Sequence, residues 1–172
     1  CMLFLGSGFS LGSTNVEGNN LVSAFDLSKR LDNMSGGDNE GNLENAADEF
    51  VDNLGELKLV GLLRREFTVA NYTDYQETIG KCNWTRIYTT NYDDTMEKIA
   101  LKNGRVLTPV TLSSSLREFQ DKSDTVVHLN GSVSNLTSTS LSEEFKLTSS
   151  SYLTRSFLKS EWLSLFRYDL KD

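Results

Sequence analysis

Residues 86–94 read RIYTTNYDD. The first half of this stretch is β-branched and aromatic, which is typical of a buried strand, and the second half is polar and turn-forming. Two other runs have the same form: MLFL at residues 2–5 precedes a glycine turn, and TVVHL at residues 125–129 precedes Asn130. The pattern predicts strands whose carboxyl ends carry polar or glycine residues, and a further strand is predicted at residues 105–110.

Helical spacing of apolar residues fills the segments between these strands. Strands that alternate with helices predict an α/β fold, here a Rossmann-like parallel sheet. The stretch of about residues 19–83 is too long for a simple crossover, so we expect a helical insertion after the first strand. The serine- and threonine-rich residues 132–151 predict an extended loop. The predicted helices cover residues 19–31, 42–54, 56–67, 74–81 and 93–102, and two more are predicted within residues 152–170.

The chain has 172 residues and a net charge of −7, from 17 Lys and Arg against 24 Asp and Glu. This length fits a single domain over residues 1–172. An acidic chain without basic clusters is a poor candidate for binding nucleic acid or an anionic membrane, and no apolar run approaches the roughly 18 residues of a membrane span. Two cysteines, Cys1 and Cys82, cannot build a four-cysteine zinc site, and a reducing cytoplasm is the simplest compartment.

The glycine turn after the first strand has the sequence Gly6-Ser7-Gly8-Phe9-Ser10. Glycines let backbone N–H groups approach a phosphate closely, and a helix that follows adds a favourable dipole. The turn is not the dinucleotide pattern G-x-G-x-x-G, because Leu11 stands where the third glycine belongs. A tight strand-to-helix turn without a ligand explains the same residues.

The second polar strand end, Thr89-Thr90-Asn91-Tyr92-Asp93-Asp94, also has two interpretations. Asn91 can cap a helix whose first turn carries Asp93 and Asp94, because carboxylates are favoured there by the helix dipole. Alternatively, the Asn91 amide holds a sugar hydroxyl or orients a water molecule, and a carboxylate holds an amide group of a ligand.

The third strand end carries the chain's one histidine, His128. Side chains alternate along a strand, so His128 and Asn130 share a face if the strand continues that far. A histidine in such a place is either a functional group or a structural residue with its hydrogen bonds satisfied.

Taken together and in this order, the three motifs resemble those of the sirtuin-like superfamily of NAD-binding domains. The family has a Gly-Ala-Gly-x-Ser turn, then a Thr-x-Asn-x-Asp strand end, then a strand that ends in His-Gly. The sequence of residues 87–94 resembles that of bacterial sirtuin-like domains of antiphage defence proteins, and so does Ser151-Tyr152-Leu153 with Trp162. Those relatives hydrolyse NAD to nicotinamide and ADP-ribose, usually as part of a longer chain.

The resemblance implies roles for particular residues. The glycine turn would hold the NAD diphosphate, Asn91 would orient the nicotinamide ribose or the attacking water, and Asp93 would contact the carboxamide. Asn91, His128 and Asn130 are the candidate catalytic residues. The candidate NAD-binding residues are Gly6, Ser7, Gly8, Phe9, Ser10, Thr90, Asn91, Asp93, Gly131 and Ser132.

Two departures from the family keep an alternative function open. The family's catalytic histidine immediately precedes the glycine of the third motif, where this chain has Asn130, and an amide cannot act as a general base. His128 could substitute only if the strand end bends or the substrate sits deeper. The chain also ends without the family's later Gly-x-Ser segment, so we expect a truncated domain. The alternative is an NAD or ADP-ribose sensor or assembly module, and such domains often work as homo-oligomers, whereas a deacylase is disfavoured because it needs the zinc module.

Overall fold

The computed structural model describes residues 1–119, 124–152 and 160–171. A four-stranded parallel sheet with the order β1-β4-β6-β5 lies at its centre, and a two-stranded antiparallel sheet pairs β2 with β3. The strands are β1 (Met2–Leu5), β2 (Thr14–Asn15), β3 (Val69–Asn71), β4 (Arg86–Thr89), β5 (Thr108–Thr111) and β6 (Thr125–His128). The predicted α/β fold with a Rossmann-like parallel sheet is confirmed.

The strands are in register at their carboxyl ends. Leu5 pairs with Thr89, Thr89 pairs with His128, and His128 pairs with Thr111 on the far strand. The residues that follow β1, β4 and β6 therefore leave the sheet at the same edge. This edge of a parallel sheet is where ligands bind in open α/β folds.

Nine helices lie in the described parts of the chain. Side chains of successive strand residues point to opposite sides of the sheet, so the sheet has two faces, and each face is covered. One face, with Ile87 and Val126, packs against Ile99 of the fifth helix; the other, with Tyr88 and Val127, packs against Trp162. The helices are α1 (Ala24–Ser35), α2 (Leu43–Leu54), α3 (Glu56–Phe67), α4 (Asp74–Gly80), α5 (Thr95–Lys102), α6 (Leu116–Phe119), α7 (Ser138–Glu143), α8 (Ser149–Tyr152) and α9 (Glu161–Asp169).

The insertion between β1 and β4 holds α1 to α4 together with the β2–β3 pair. Its core is an apolar cluster in which Leu31, Phe50 and Leu63 are fully buried. The first helix starts at Ala24, later than predicted, because the Ser23 hydroxyl accepts the Asp26 backbone N–H and caps it there. The predicted bounds of α2 and α3 agree with the structure to within one residue.

The prediction of an extended loop over residues 132–151 is wrong. A short 3-10 helix (Val133–Asn135) is followed by α7, which Thr137 caps, and by α8. Leu141, Phe145 and Leu147 bury their side chains in the core of the insertion. The high serine and threonine content concealed these apolar residues, whose burial stabilises helices that composition alone would not predict.

The two helices predicted within residues 152–170 can be compared only in part. The structure has α9 in this region, and Trp162 of α9 packs in the core against the sheet. Leu153 and Phe157, two apolar residues on which the helix prediction for this segment depends, lie outside the described residues. Within the described ranges, every helix is too short or too polar to cross a lipid bilayer.

Candidate functional site

A cavity of about 450 Å³ opens at the carboxyl edge of the sheet, which is within the usual range for small-molecule sites. The sheet contributes the glycine turn after β1 and the loop after β4. The insertion contributes the approach to α1 and the end of α3. The lining residues are Ser7, Gly8, Ser10, Leu11, Gly12, Asn20, Leu21, Val22, Ser23, Asp26, Phe67, Asn91, Tyr92 and Asp93.

The glycine turn forms one wall of this cavity. After Gly6 the chain enters a 3-10 helix over Ser7–Ser10, and the Gly6 carbonyl accepts the N–H of Phe9 at 2.9 Å. A Cβ atom on Gly8 would meet no heavy atom within 4 Å, so the glycine leaves open space on the cavity side. Phe9 does not face the cavity: it is buried in the core beneath the turn.

Asn91 lies opposite the turn, and it is not the helix cap that the local pattern allowed. The helix begins at Thr95 with Asp94 in the cap position. The Asn91 amide instead donates to the Gly6 carbonyl at 2.9 Å and to the Ser10 hydroxyl at 2.7 Å. No described group donates to its Oδ1, so the side-chain oxygen keeps its full acceptor capacity at a cavity wall.

Asp93 joins the same network from the side of α5. The Ser10 hydroxyl donates to its Oδ2 at 2.6 Å, and Oδ1 accepts from the Thr95 hydroxyl and from the Thr95 N–H. The carboxylate is 7% exposed and lines the cavity. Ser10 therefore links Asn91 and Asp93, and three residues from two strand ends form one hydrogen-bonded unit.

His128 lies behind this unit and not in the cavity. Its ring is fully buried, with Nδ1 at 2.9 Å from the Asn91 carbonyl oxygen and Nε2 at 2.8 Å from Glu97 Oε1. Burial by itself lowers the pKa of His128. The Glu97 carboxylate, the Asn91 carbonyl and Asp93 together outweigh it, so that the pKa is raised. With both nitrogens committed, the ring has no free lone pair to act as a base in the cavity.

The other predicted residues of the third motif also lie outside the cavity lining. The Asn130 amide donates to the Thr90 carbonyl at 3.0 Å. Ser132 is buried and caps the following 3-10 helix by accepting the Ser134 N–H. Gly131 has a φ of +97°, and a Cβ there would lie 2.8 Å from the Phe145 Cα atom, so its role in this arrangement is structural.

The charge of the cavity is negative. Its lining contains two carboxylates, Asp26 and Asp93, and no Lys, Arg or His among the described residues. A positively charged group of a ligand would therefore be favoured in the cavity over a negatively charged one.

Sequence reasoning missed the whole wall that the insertion supplies. Asn20, Leu21, Val22, Ser23 and Asp26 were assigned to a continuous helix. The spacing Ser23-x-x-Asp26 resembles a capping box and could have placed the helix start correctly. Nothing comparable in the sequence marks Phe67, since it continues the apolar stripe of α3.

A parallel sheet with a cavity between a glycine turn and a strand-end amide defines a Rossmann-like α/β domain. The chain matches the SIR2-like domain family over residues 85–171, about half of its length, and it belongs to that family. The matched part contains the second and third motifs, whereas the glycine turn precedes it. SIR2-like domains bind NAD. No curated protein matches the chain.

Proposed function

We propose that the domain binds NAD in this cavity and hydrolyses the bond between nicotinamide and ribose. The observation that supports the proposal best is the fixed amide of Asn91, held by Gly6 and Ser10 with its oxygen unused. A group that is already oriented loses little freedom when the ligand binds, so its contact is available without reorganisation. In this proposal the Asn91 oxygen accepts a hydrogen bond from the nicotinamide ribose or from the attacking water.

The reaction consumes NAD and one water molecule and yields nicotinamide, ADP-ribose and a proton. Nicotinamide leaves as a neutral molecule, so its departure needs no acid, and positive charge develops on the ribose. The buried carboxylate of Asp93 stabilises this charge electrostatically. The glycine turn holds the diphosphate, and the reaction depends on positioning more than on proton transfer. The resemblance of residues 87–94 to sirtuin-like domains of antiphage defence proteins supports the further proposal that the domain acts as the effector of a longer chain.

Nicotinamide release measured by chromatography, together with NAD binding measured by calorimetry, tests this proposal. Asn91→Ala should reduce release at least about a hundredfold, the size of effect expected when a positioned transition-state contact is lost. Asn83→Ala, an exposed asparagine outside the cavity, is the matched control. Circular dichroism should show that both variants are folded. Equal release from Asn91→Ala and the control would refute the proposed site.

A second function, NAD binding without cleavage, is favoured by the third motif. Asn130 stands in the family's histidine position, and its side-chain amide donates to the Thr90 carbonyl. His128 is buried. Under this alternative, wild type binds NAD but releases no nicotinamide. Release that arises in Asn130→His, but not in the control Asn135→His at an exposed site nearby, would show that only the base is missing.

A further inference from the structure

The His128 ring lies between a backbone carbonyl and a carboxylate, and both accept hydrogen bonds. Nδ1 faces the Asn91 carbonyl oxygen at 2.9 Å, and Nε2 faces the Glu97 carboxylate at 2.8 Å. A neutral imidazole carries one N–H donor and one lone pair, so it can satisfy only one of these partners. An imidazolium satisfies both, which fits the geometry without leaving an acceptor facing a lone pair.

The charges around the ring favour the same protonation state. Glu97 reaches it from α5, and the second carboxylate oxygen, Oε2, is buried with no hydrogen-bond partner in the described ranges. Asp93 adds a second negative charge from the loop before α5. Glu144 accepts the hydroxyl of Thr111, which is the β5 neighbour of His128 in register. Burial lowers the pKa of His128, but the Glu97 carboxylate, the Asn91 carbonyl and Asp93 outweigh it, so the pKa is raised.

We propose that His128 is a positioning residue for Asn91: as an imidazolium it donates to the Asn91 carbonyl and to Glu97, and so fixes the amide that faces the cavity. The inference deepens the proposed function, because it treats the Asn91 amide as the group that meets the ligand. Asn91 is then held at its backbone carbonyl by His128, at its N–H by the Thr89 hydroxyl, and at its side chain by Gly6 and Ser10.

The hydrogen bond from His128 to the Asn91 carbonyl depends on pH, because it requires a proton on Nδ1. When the imidazolium loses a proton, the remaining one stays on Nε2, because the Glu97 carboxylate is the stronger acceptor. The Asn91 carbonyl then loses its donor, and the amide is less firmly placed. NAD binding should therefore weaken as the pH rises through the titration of His128. NAD itself does not titrate in this range.

Glu97→Gln separates this role from a merely structural one. A glutamine amide can donate to the lone pair of Nε2, so a neutral ring keeps its one proton on Nδ1 and continues to hold the Asn91 carbonyl. We expect the NAD affinity of wild type to fall about tenfold between pH 6.5 and pH 9.5, the loss expected for one charge-assisted hydrogen bond. The affinity of Glu97→Gln should change less than about twofold. Glu77→Gln, a surface ion-pair partner on α4, is the control and should follow wild type.

Nuclear magnetic resonance gives a readout that does not depend on NAD. The 172-residue chain has one histidine, so its two ring nitrogens give unambiguous signals when this chain is isotopically labelled. Both should be protonated at neutral pH in wild type and titrate above the usual value of about 6.5, and titration should move to lower pH in Glu97→Gln. The side-chain NH₂ signal of Asn91, assigned by its loss in Asn91→Asp, should shift together with the ring.

The outcomes separate the two proposals. A ring that is neutral at pH 7, with the proton on Glu97 instead, overturns the positioning role even if NAD binds. A doubly protonated ring whose titration moves the Asn91 signal supports the role even if NAD does not bind, and in that case only the proposed function fails. Equal loss of NAD affinity at high pH in wild type and Glu97→Gln also overturns the positioning role.

Discussion

The glycine turn after β1 and the loop after β4 form a cavity wall at the same sheet edge as the end of β6 and the loop that follows it, yet the two regions place their side chains differently. Asn91 and Asp93 line the cavity, whereas His128 and Gly131 are buried behind it. Both regions carry the polar residues that make a strand end look functional. Such residues therefore identify the carboxyl edge of the sheet, whereas the burial of each side chain depends on the segments of the chain that pack over it.

Glycine substitutions test this difference with the largest expected effect. Gly131→Ala should lower the free energy of unfolding by about 2–4 kcal/mol, because its φ is +97° and the new Cβ meets the Phe145 backbone. Gly8→Ala should change it by less than about 0.5 kcal/mol, since the Cβ enters open space. Urea unfolding measures both. Equal destabilisation of the two variants would show that the cavity wall and the buried end of β6 do not differ in this way.

The pH dependence of the free energy of unfolding tests the buried end of β6, where His128 lies. The pKa of His128 is raised in the folded protein, so its contribution is complete below the unfolded value of about 6.5 and is lost as the pH rises through the folded value. We expect the free energy of unfolding to fall by about 1–3 kcal/mol over that interval. Glu97→Gln should flatten the profile, and a flat wild-type profile would contradict a charged ring.

Ser10→Ala tests the cavity wall, with the smallest expected effect of these substitutions. The serine hydroxyl accepts from Asn91 and donates to Asp93, so its loss leaves both polar groups without one partner. Because both groups border the cavity, water can replace the hydroxyl, and we expect a loss of only about 1 kcal/mol in stability. NAD affinity should fall about fivefold by the same reasoning. Ser7→Ala serves as the control for stability, and a larger loss in that control would contradict the network.

The four strands of the parallel sheet and most helices could be predicted from the sequence because their apolar spacing is strong and local, whereas the short β2–β3 pair was not predicted. Residues 132–151 could not, since the burial of Leu141 and Phe145 depends on a surface formed by the distant insertion. The parallel sheet that the sequence predicts accounts for the meeting of the glycine turn with Asn91, because the carboxyl ends of parallel strands lie at one edge. The contacts of His128 with Glu97 and with the Asn91 carbonyl could not be predicted, because they have no signature in residue spacing.

The pairing of β1 with β4 also bears on how such a domain can vary in length. Hydrogen bonds from Asn91 to Gly6 and to Ser10 join residues 85 and 81 positions apart, and the intervening chain is a loop whose ends are fastened side by side. The entropic cost of closing a loop rises only slowly with its length, by about 0.6 kcal/mol for each doubling. Insertions or deletions far from the cavity wall can therefore accumulate between β1 and β4 while the two strand ends stay in place.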